Sequence, residues 1–201
     1  MGFGFKQLFR LFVIYVWHNR YTRVKYFRKQ GAQIGKSCSI ISKELGTEPY
    51  LVKLGNHVSI AGGVVFMTHD GGAFIFGQEI PHIQVFGPIV IEDNCLIGQN
   101  AVLFPNVRIG PNSIVGAGSV VISDVPPNCI AMGVPARVWS SVEKYKQKCV
   151  EAWNMQKPPD YVIEEGVLPE MSRHLKENRK KLRKHLTHLF WEKEKEKSES
   201  G

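Results

Sequence analysis

Between residues 91 and 125 an aliphatic side chain returns at every sixth position. The series is Ile91, Ile97, Leu103, Ile109, Val115 and Val121. Four positions after each member stands a small or β-branched residue: Cys95, Ala101, Val107, Ser113, Ser119 and Val125. Three positions after each stands a residue that tolerates the left-handed backbone of a tight corner: Asn94, Asn100, Asn106, Asn112, Gly118 and Asp124. Agreement in three slots over six hexads predicts a mainly β coil of short strands.

In such a coil the aliphatic and small residues point inward and the Asn/Gly/Asp slot turns each corner. Three hexads close one triangular turn, and successive turns stack about 4.8 Å apart as parallel strands. Weaker hexads occur earlier in the chain, at Ile34, Ile40, Leu54, Ile60 and Phe66. The phase changes between residues 41 and 53, which predicts an excursion from the coil there.

The coil pattern stops at His69, and a second excursion covers residues 70–86. His69 stands three residues after Phe66, in the corner slot of Asn94, and His57 occupies the same slot after Leu54. Histidine is enriched in left-handed corners, so this slot alone explains both. What distinguishes His69 is the long aperiodic segment that follows, since long ordered loops in compact domains are usually functional.

The two ends of the chain have helical patterns. Residues 5–29 contain no Gly or Pro, and their apolar side chains recur three or four positions apart. We expect residues 1–30 to form an amphipathic basic helix that caps the open end of the coil, binds an anionic membrane, or does both. Residues 140–201 predict a helical extension, with helices near 141–155 and 170–195 and a disordered tail.

Charge and cysteine usage narrow the function. The chain has 201 residues and a net charge of +8. Residues 1–30 hold seven Lys/Arg and no acid, whereas basic and acidic residues alternate near the C-terminus. This alternation argues against nucleic-acid binding. The four cysteines have no zinc-ribbon spacing, so we expect reduced, buried thiols in a cytoplasmic protein. The apolar run 11–17 is too short to span a bilayer.

The stretch "GPIVIEDNCLIGQNAVLFPNVRIGPNSIVGAGSVVISDVPPNCIAMGVPARV" closely resembles the hexapeptide-repeat acyltransferases, and most of all the sugar O-acetyltransferases. The resemblance covers residues 31–139 and implies a left-handed parallel β-helix, with residues 31–139 as the acyltransferase domain. The left hand comes from the resemblance alone, because general crossover chirality favours the right hand. We also expect a homotrimer, because a catalytic histidine at an edge of a triangular prism leaves half a site exposed, which the face of a neighbouring copy can complete.

By this resemblance His69 is the general base that takes a proton from an acceptor hydroxyl, with acetyl-CoA as co-substrate and no metal. Asp70, Glu79 or a backbone carbonyl could orient the ring. Asp70 and His82 are candidates for contact with the acceptor. The resemblance places further residues along the acetyl-CoA: Gln99, Gly116, Ala117, Gly118, Ser123 and Arg137. The chain departs from the family pattern at Leu96, often Trp, and at Ser140, often basic.

The expected activity is O-acetylation of a carbohydrate in surface-polysaccharide synthesis, at the cytoplasmic face of the membrane. Residues 1–29 would supply the peripheral contact with anionic lipid. Alternatives are N-acetylation of an amino sugar or a xenobiotic, a catalytically silent coil, and a zinc enzyme of the γ-carbonic-anhydrase type. Zinc would need three histidines at one point. The coil offers His57, His69 and His82, and the first two should lie on different edges.

Overall fold

Short parallel strands, most of them two residues long, form three flat faces in the computed structural model, which describes residues 22–165 and 174–192. The first face has the strand order β1-β3-β6-β9, formed by β1 (Gln33–Ile34), β3 (Val52–Leu54), β6 (Ile89–Ile91) and β9 (Arg108–Ile109). The second has the order β13-β12-β10-β7-β4-β2, formed by β2 (Ser39–Ile40), β4 (Ser59–Ile60), β7 (Leu96–Ile97), β10 (Ile114–Val115), β12 (Cys129–Gly133) and β13 (Ala136–Ser141). The third has the order β11-β8-β5, formed by β5 (Val65–Phe66), β8 (Val102–Leu103) and β11 (Val120–Val121).

Consecutive turns of the coil stack in parallel register, eighteen residues apart in its regular part. Leu96 is the partner of Ile114, Val102 of Val120, and Val90 of Arg108. This spacing equals three hexads, so the mainly β, parallel coil predicted from the six-residue pattern is confirmed.

The inner slots of the hexads form one continuous core. The aliphatic series from Ile91 to Val121 is at most 1% exposed, and Ser113 and Ser119 in the small slot are fully buried. Burying each such Ile or Leu stabilises the fold by about 1.5–3 kcal/mol. At the corners, Asn94, Asn100, Asn106 and Asn112 have φ between 55° and 65°. The asparagine side chains of one corner also bond to each other, from Asn94 to Asn112 at 2.9 Å.

Three turns depart from the eighteen-residue length. Ser39 pairs with Ser59, twenty residues on, and Ser59 pairs with Leu96, thirty-seven residues on. The extra residues of the first longer turn lie in a segment that contains a 3-10 turn at Pro49–Leu51. Those of the second lie in a segment that contains a 3-10 helix at Gly71–Phe76. The last turn is shorter, since Ile114 pairs with Ile130. The two longer turns carry the loops that build the candidate site.

The coil's first turn is covered by α1 (Thr22–Lys29), whose Val24 and Phe27 are buried in the core. Arg23 donates to the carbonyl of Ile41, and Arg28 donates to those of Ile34 and Gly35. Thus side chains of α1 satisfy carbonyls of the first turn that have no further turn below them. The rest of the predicted helix over residues 5–29 lies outside the described residues.

Residues 144–201 form a second unit. Its described elements are α2 (Val142–Gln156), which begins at the unit boundary, α3 (Leu175–Thr187) and a π-helical turn, His188–Glu192. Asn178 holds the segment between the helices, because its amide bonds to both the N–H and the C=O of Val162, at 3.1 and 2.8 Å. The predicted disordered tail lies outside the described residues.

The four cysteines are free, as expected, but they are not all buried. Burial raises the pKa of the Cys38, Cys95 and Cys129 thiols. Cys149 is exposed, which corrects the expectation of four buried thiols. The reason is its position on α2, a helix with no buried residue.

Candidate active site

His69 stands where the chain leaves the coil after β5. The N–H of Asp70 donates to Val85 and the N–H of Gly87 donates to Thr68, at 2.8 and 3.0 Å, and His69 itself pairs with Phe86 as an antiparallel bridge. These bonds close the base of the loop 70–86. His69 is absent from the residues with positive φ, whereas His57 is among them at 55°. The corner explanation therefore fails for His69, because the loop's antiparallel pairing replaces the corner.

The imidazole of His69 is held by a carboxylate from the first excursion of the chain. Its Nδ1 lies 3.0 Å from Oε2 of Glu48, and the hydroxyl of Thr68 donates to the same oxygen. Thr68 is 1% exposed. A close approach at Gly46 makes this possible, because a Cβ there would lie 2.7 Å from the carbonyl oxygen of Phe66, and the residue has a φ of 75°.

This contact corrects the sequence-based candidates for the orienting group. Asp70 instead accepts a bond from the N–H of Gly72 at 2.8 Å and caps the 3-10 helix. Glu79 is exposed and does not line the cavity beside His69. Glu48 was missed because it lies in the segment 41–53, where no hexad gives its position. The phase change there was the only signal that a loop approached the coil.

The electrostatics favour an ionised Glu48 and one tautomer of His69. Partial burial raises the pKa of Glu48, but hydrogen bonds from Thr68 and His69 and attraction to the imidazole outweigh it, so the pKa lies below its usual value. An ionised carboxylate only accepts hydrogen bonds. Nδ1 of His69 therefore carries the hydrogen of this bond, and in the neutral ring the lone pair lies on Nε2. The Glu48 side chain is 13% exposed and that of His69 44% exposed, so the ring remains accessible.

A cavity of about 250 Å³ opens beside this pair. Its polar residues are Glu48, His69, Asp70 and Gln84, and its apolar walls include Phe74, Ile83, Val85 and Phe86. Phe86 stands edge-on to the imidazole, with ring centroids 6.3 Å apart. The arrangement places an oriented imidazole next to a space lined by polar side chains and by aromatic ones. It can accept a proton from a bound hydroxyl or amine.

The structure does not bring His57 or His82 to this pair. His82 is exposed, has a φ of 65°, and lines a neighbouring cavity of about 410 Å³ with Phe74 and Ile83. His57 bonds through Nδ1 to Asn94 at 2.7 Å, in the asparagine stack of a different corner. Within residues 22–165 and 174–192, no three His, Cys, Asp or Glu side chains come together as a metal site.

Two candidate acetyl-CoA residues stack at one edge of the third face. Gln99 and Ala117 are both exposed, and the N–H of Gly118 donates to the carbonyl of Gln99 at 2.8 Å. Gly118 has a φ of 67°, and nothing lies within 4 Å of where its Cβ would be, so this turn faces open space. Gly116 differs, since a Cβ there would lie 2.8 Å from that of Met132. Packing on the last strand pair accounts for Gly116.

Arg137 and Ser123 fall on different sides of that face. Arg137 is exposed on β13 and pairs with Met132, which places it beside the turn of Gly116. Ser123 is exposed two residues after Val121, whose register partners are Leu103 and, one turn earlier, Phe66. Ser123 therefore shares the edge of His69. Within one chain the candidate residues therefore lie at two different edges of the third face, the edge of Gln99 and the edge of His69.

Some of the basic side chains of residues 1–30 are buried or bound to the coil. Of the seven basic residues, Arg23 is only 8% exposed, and Arg28 binds two coil carbonyls. Lys25 and Lys29 are exposed, and Lys6, Arg10 and Arg20 lie outside the described residues. No helix in the described part of the chain has the length and hydropathy needed to cross a membrane.

Comparison with known proteins places the coil among bacterial transferases. The family profile described as "Bacterial transferase hexapeptide (six repeats)" matches residues 88–123. Protein CapG of Staphylococcus aureus is 46% identical over 137 residues, which cover 67% of this chain and 80% of that protein.

Two enzymes with named substrates match shorter segments. A 2,3,4,5-tetrahydropyridine-2,6-dicarboxylate N-acetyltransferase of Alkaliphilus metalliredigens (strain QYMF) is 50% identical over 78 residues, 38% of this chain and 32% of that protein. The galactoside O-acetyltransferase of Escherichia coli (strain K12) is 39% identical over 91 residues, 45% of this chain and 44% of that protein. The chain therefore spans less than half of either enzyme.

Proposed function

Because this chain belongs to the hexapeptide-repeat transferases, a family of left-handed parallel β-helix enzymes, we propose that it moves an acetyl group from acetyl-CoA to a carbohydrate hydroxyl. The observation that carries the proposal is the Glu48–His69 pair at the cavity of loop 70–86. The corner slot does not explain this histidine, since the backbone of His69 lacks the corner conformation.

The proposed reaction begins at Nε2 of His69, which forms no hydrogen bond to the described residues. Nε2 takes the proton of the acceptor hydroxyl as its oxygen attacks the thioester carbonyl of acetyl-CoA. The tetrahedral intermediate collapses, the C–S bond breaks, and the sulfur takes the proton from the imidazolium. Glu48 keeps Nδ1 protonated throughout and stabilises the positive charge that forms on the ring.

The acetyl-CoA contacts follow from the exposed turn at Gln99, Ala117 and Gly118. Open space above Gly118 leaves room for the thin pantetheine arm. Arg137, on the adjoining hairpin, can bind a phosphate of CoA by charge-assisted hydrogen bonds. Ser123 lies on the edge of His69, where it can contact the other end of the arm. Asp70 lines the base's cavity and faces the acceptor, while His82 can reach only an acceptor that extends into the neighbouring cavity.

A homotrimer would gather these divided residues. The outward side chains of the third face are Val65, Val102 and Val120, and Val65 is 48% exposed. The first face instead presents Gln33, Lys53, Val90 and Arg108. An uncharged valine column is suited to burial against a second copy. Contact along this face would bring one chain's Gln99 edge next to another chain's His69 edge.

The acceptor class rests on the aromatic walls of the cavity and on relatives. Phe74 and Phe86 offer faces for stacking on a sugar ring, and one relative acts on galactosides by its name. N-acetylation of an amino sugar is the second candidate, supported by the N-acetyltransferase relative. The basic segment 1–29 supports work on surface polysaccharide at the cytoplasmic membrane face, with Lys25 and Lys29 free to contact anionic lipid.

The test is a screen of acceptors with the purified full chain and acetyl-CoA. Galactosides, glucosides, amino sugars and nucleotide sugars are compared by release of the CoA thiol, and the products by mass spectrometry. Alkaline hydroxylamine removes O-acetyl but not N-acetyl groups, so it separates the two candidates. We expect thiol release with a hydroxyl acceptor. If the folded protein releases no thiol with any of these acceptors, the proposed acetyltransferase activity is contradicted. A product that is stable to hydroxylamine favours N-acetylation.

A further inference from the structure

Helix α3 carries a stripe of exposed basic side chains that the proposed reaction does not use. Lys176, Arg179, Lys180, Arg183 and Lys184 are all exposed. At 100° per residue these five positions fall within an arc of about 140°. None of them forms a hydrogen bond or ion pair with the described residues, although Lys181, on the flank, binds Glu177 and Asp160. The stripe is therefore five positive charges on one helix face that no acidic side chain in the described part of the chain pairs with.

The side chains on the other side of α3 are buried or partly buried within the second unit. Asn178 is 4% exposed and binds the backbone of Val162, and Leu175, Leu182 and Leu186 are partly buried. These contacts fix the rotation of the helix about its axis. The basic stripe thus faces away from the unit.

Two further features lie at the C-terminal end of the stripe. A groove of about 400 Å³ is lined by Lys180, Arg183, Lys184, Thr187, His188 and Glu192. In the π-helical turn that follows, Phe190 is 44% and Trp191 67% exposed. The one acidic side chain of the groove, Glu192, is bound to His188 at 3.0 Å.

We propose that this face of α3 is a docking surface for a bilayer containing anionic phospholipid. Clusters of Lys and Arg on one helix face bind anionic headgroups by charge complementarity. Exposed Trp and Phe beside such a cluster favour a bilayer over a soluble polyanion, because indole and phenyl rings partition to the headgroup region. The groove offers room for a phosphate headgroup among three cations. This surface is independent of residues 1–29 and of the proposed acetyl transfer.

The experiment measures co-sedimentation of the full chain with vesicles of phosphatidylcholine, alone or mixed with phosphatidylglycerol. The test variant is Lys180→Glu with Arg183→Glu. The matched control is Lys36→Glu with Lys53→Glu, two exposed lysines of the coil. Each pair lowers the net charge of +8 by four, so a simple dependence on net charge affects both equally. Thermal melting and circular dichroism establish that both variants fold.

We expect the wild type to prefer the phosphatidylglycerol vesicles and to lose binding as salt rises. The α3 pair should bind about tenfold more weakly or worse, and the control pair within about twofold of wild type. Trp191→Ala should also weaken binding. Equal loss in both pairs, or unchanged binding of the α3 pair, overturns the proposal. Binding to dextran sulfate through α3 without binding to vesicles overturns it in favour of a soluble polyanion.

Discussion

Glu48 determines what His69 can do. Since the carboxylate accepts from Nδ1, the proton stays on that nitrogen and the lone pair stays on Nε2. A carboxylate at 3.0 Å also favours the protonated imidazole that forms during the reaction. The same contact orients the ring at the mouth of the cavity. Removing the charge while keeping an acceptor oxygen should therefore lower the rate.

We predict that Glu48→Gln lowers turnover by about tenfold or more. The neutral amide cannot stabilise the positive charge that forms on the ring during proton transfer, so the transition state loses stabilisation. The measurement is kcat for the variant and wild type, beside thermal melting. Glu79→Gln, an exposed carboxylate of the loop 70–86, is the control and should leave both quantities unchanged. A lower Tm with an unchanged kcat in Glu48→Gln would reduce Glu48 to a structural role.

Arg137 offers a test of the acetyl-CoA site. We predict that Arg137→Ala raises the KM for acetyl-CoA by about tenfold or more, because a charge-assisted contact contributes about 1.5–3 kcal/mol. The KM for the acceptor should stay the same. Steady-state kinetics with each substrate varied in turn gives both constants. If neither changes, Arg137 does not bind the phosphates.

Candidate residues were predictable where periodicity made an exception visible. His69 was chosen because a regular pattern ended there, and the structure places it at the base of the loop 70–86. Glu48 was not identifiable, since it lies in a loop with no repeat. Glu48 precedes His69 by twenty-one residues in the chain. It reaches His69 because the first turn of the coil stacks beneath the second. The sequence could not distinguish a packing role from a cofactor-binding role for Gly116, because only the fold places Met132 beside it.

Among the elements, the hexad slots predicted strands that ordinary alternation would miss. Most strands have two residues, too few for a period-two pattern, but each lies at the same point of its hexad. The corners followed from Asn and Gly, which accept positive φ. The left hand of the coil had no such signal, because it depends on the packing of whole turns. The loop 70–86 carried no repeat, so only its existence was predictable, whereas the helix predicted near 141–155 is found at Val142–Gln156.

The capping role of α1 leads to a prediction about stability. Phe27 is 2% exposed, and Phe27→Ala should lower the free energy of unfolding by about 3–5 kcal/mol. Phe74 is 86% exposed, so Phe74→Ala should change the free energy of unfolding by less than about 0.5 kcal/mol. Because Phe74 lines the cavity beside His69, its loss should instead raise the KM for the acceptor. Chemical denaturation measures the free energy of unfolding, and steady-state kinetics measures the KM. Equal destabilisation by the two variants would contradict the capping role.

For the whole molecule, the valine column of the third face predicts how copies assemble. Val102→Glu should dissociate the proposed trimer and reduce activity, since it places a charge in an apolar contact. Val90→Glu puts the same change at an outward, partly buried valine of the first face, between Lys53 and Arg108. It should leave the assembly intact. Light scattering after size exclusion gives the masses. Dissociation by Val90→Glu alone would place the interface on the first face.

Turnover measured beside thermal melting gives the sharpest test of His69 as the general base. His69→Ala should lower kcat by about 10²–10⁴-fold and leave the Tm nearly unchanged, because the residue serves the reaction and not the coil. His57→Ala, which breaks a 2.7 Å bond within a corner stack, should lower the Tm slightly and leave kcat near normal. An essential His57 with a dispensable His69 would rule out His69 as the base and move the site to another edge.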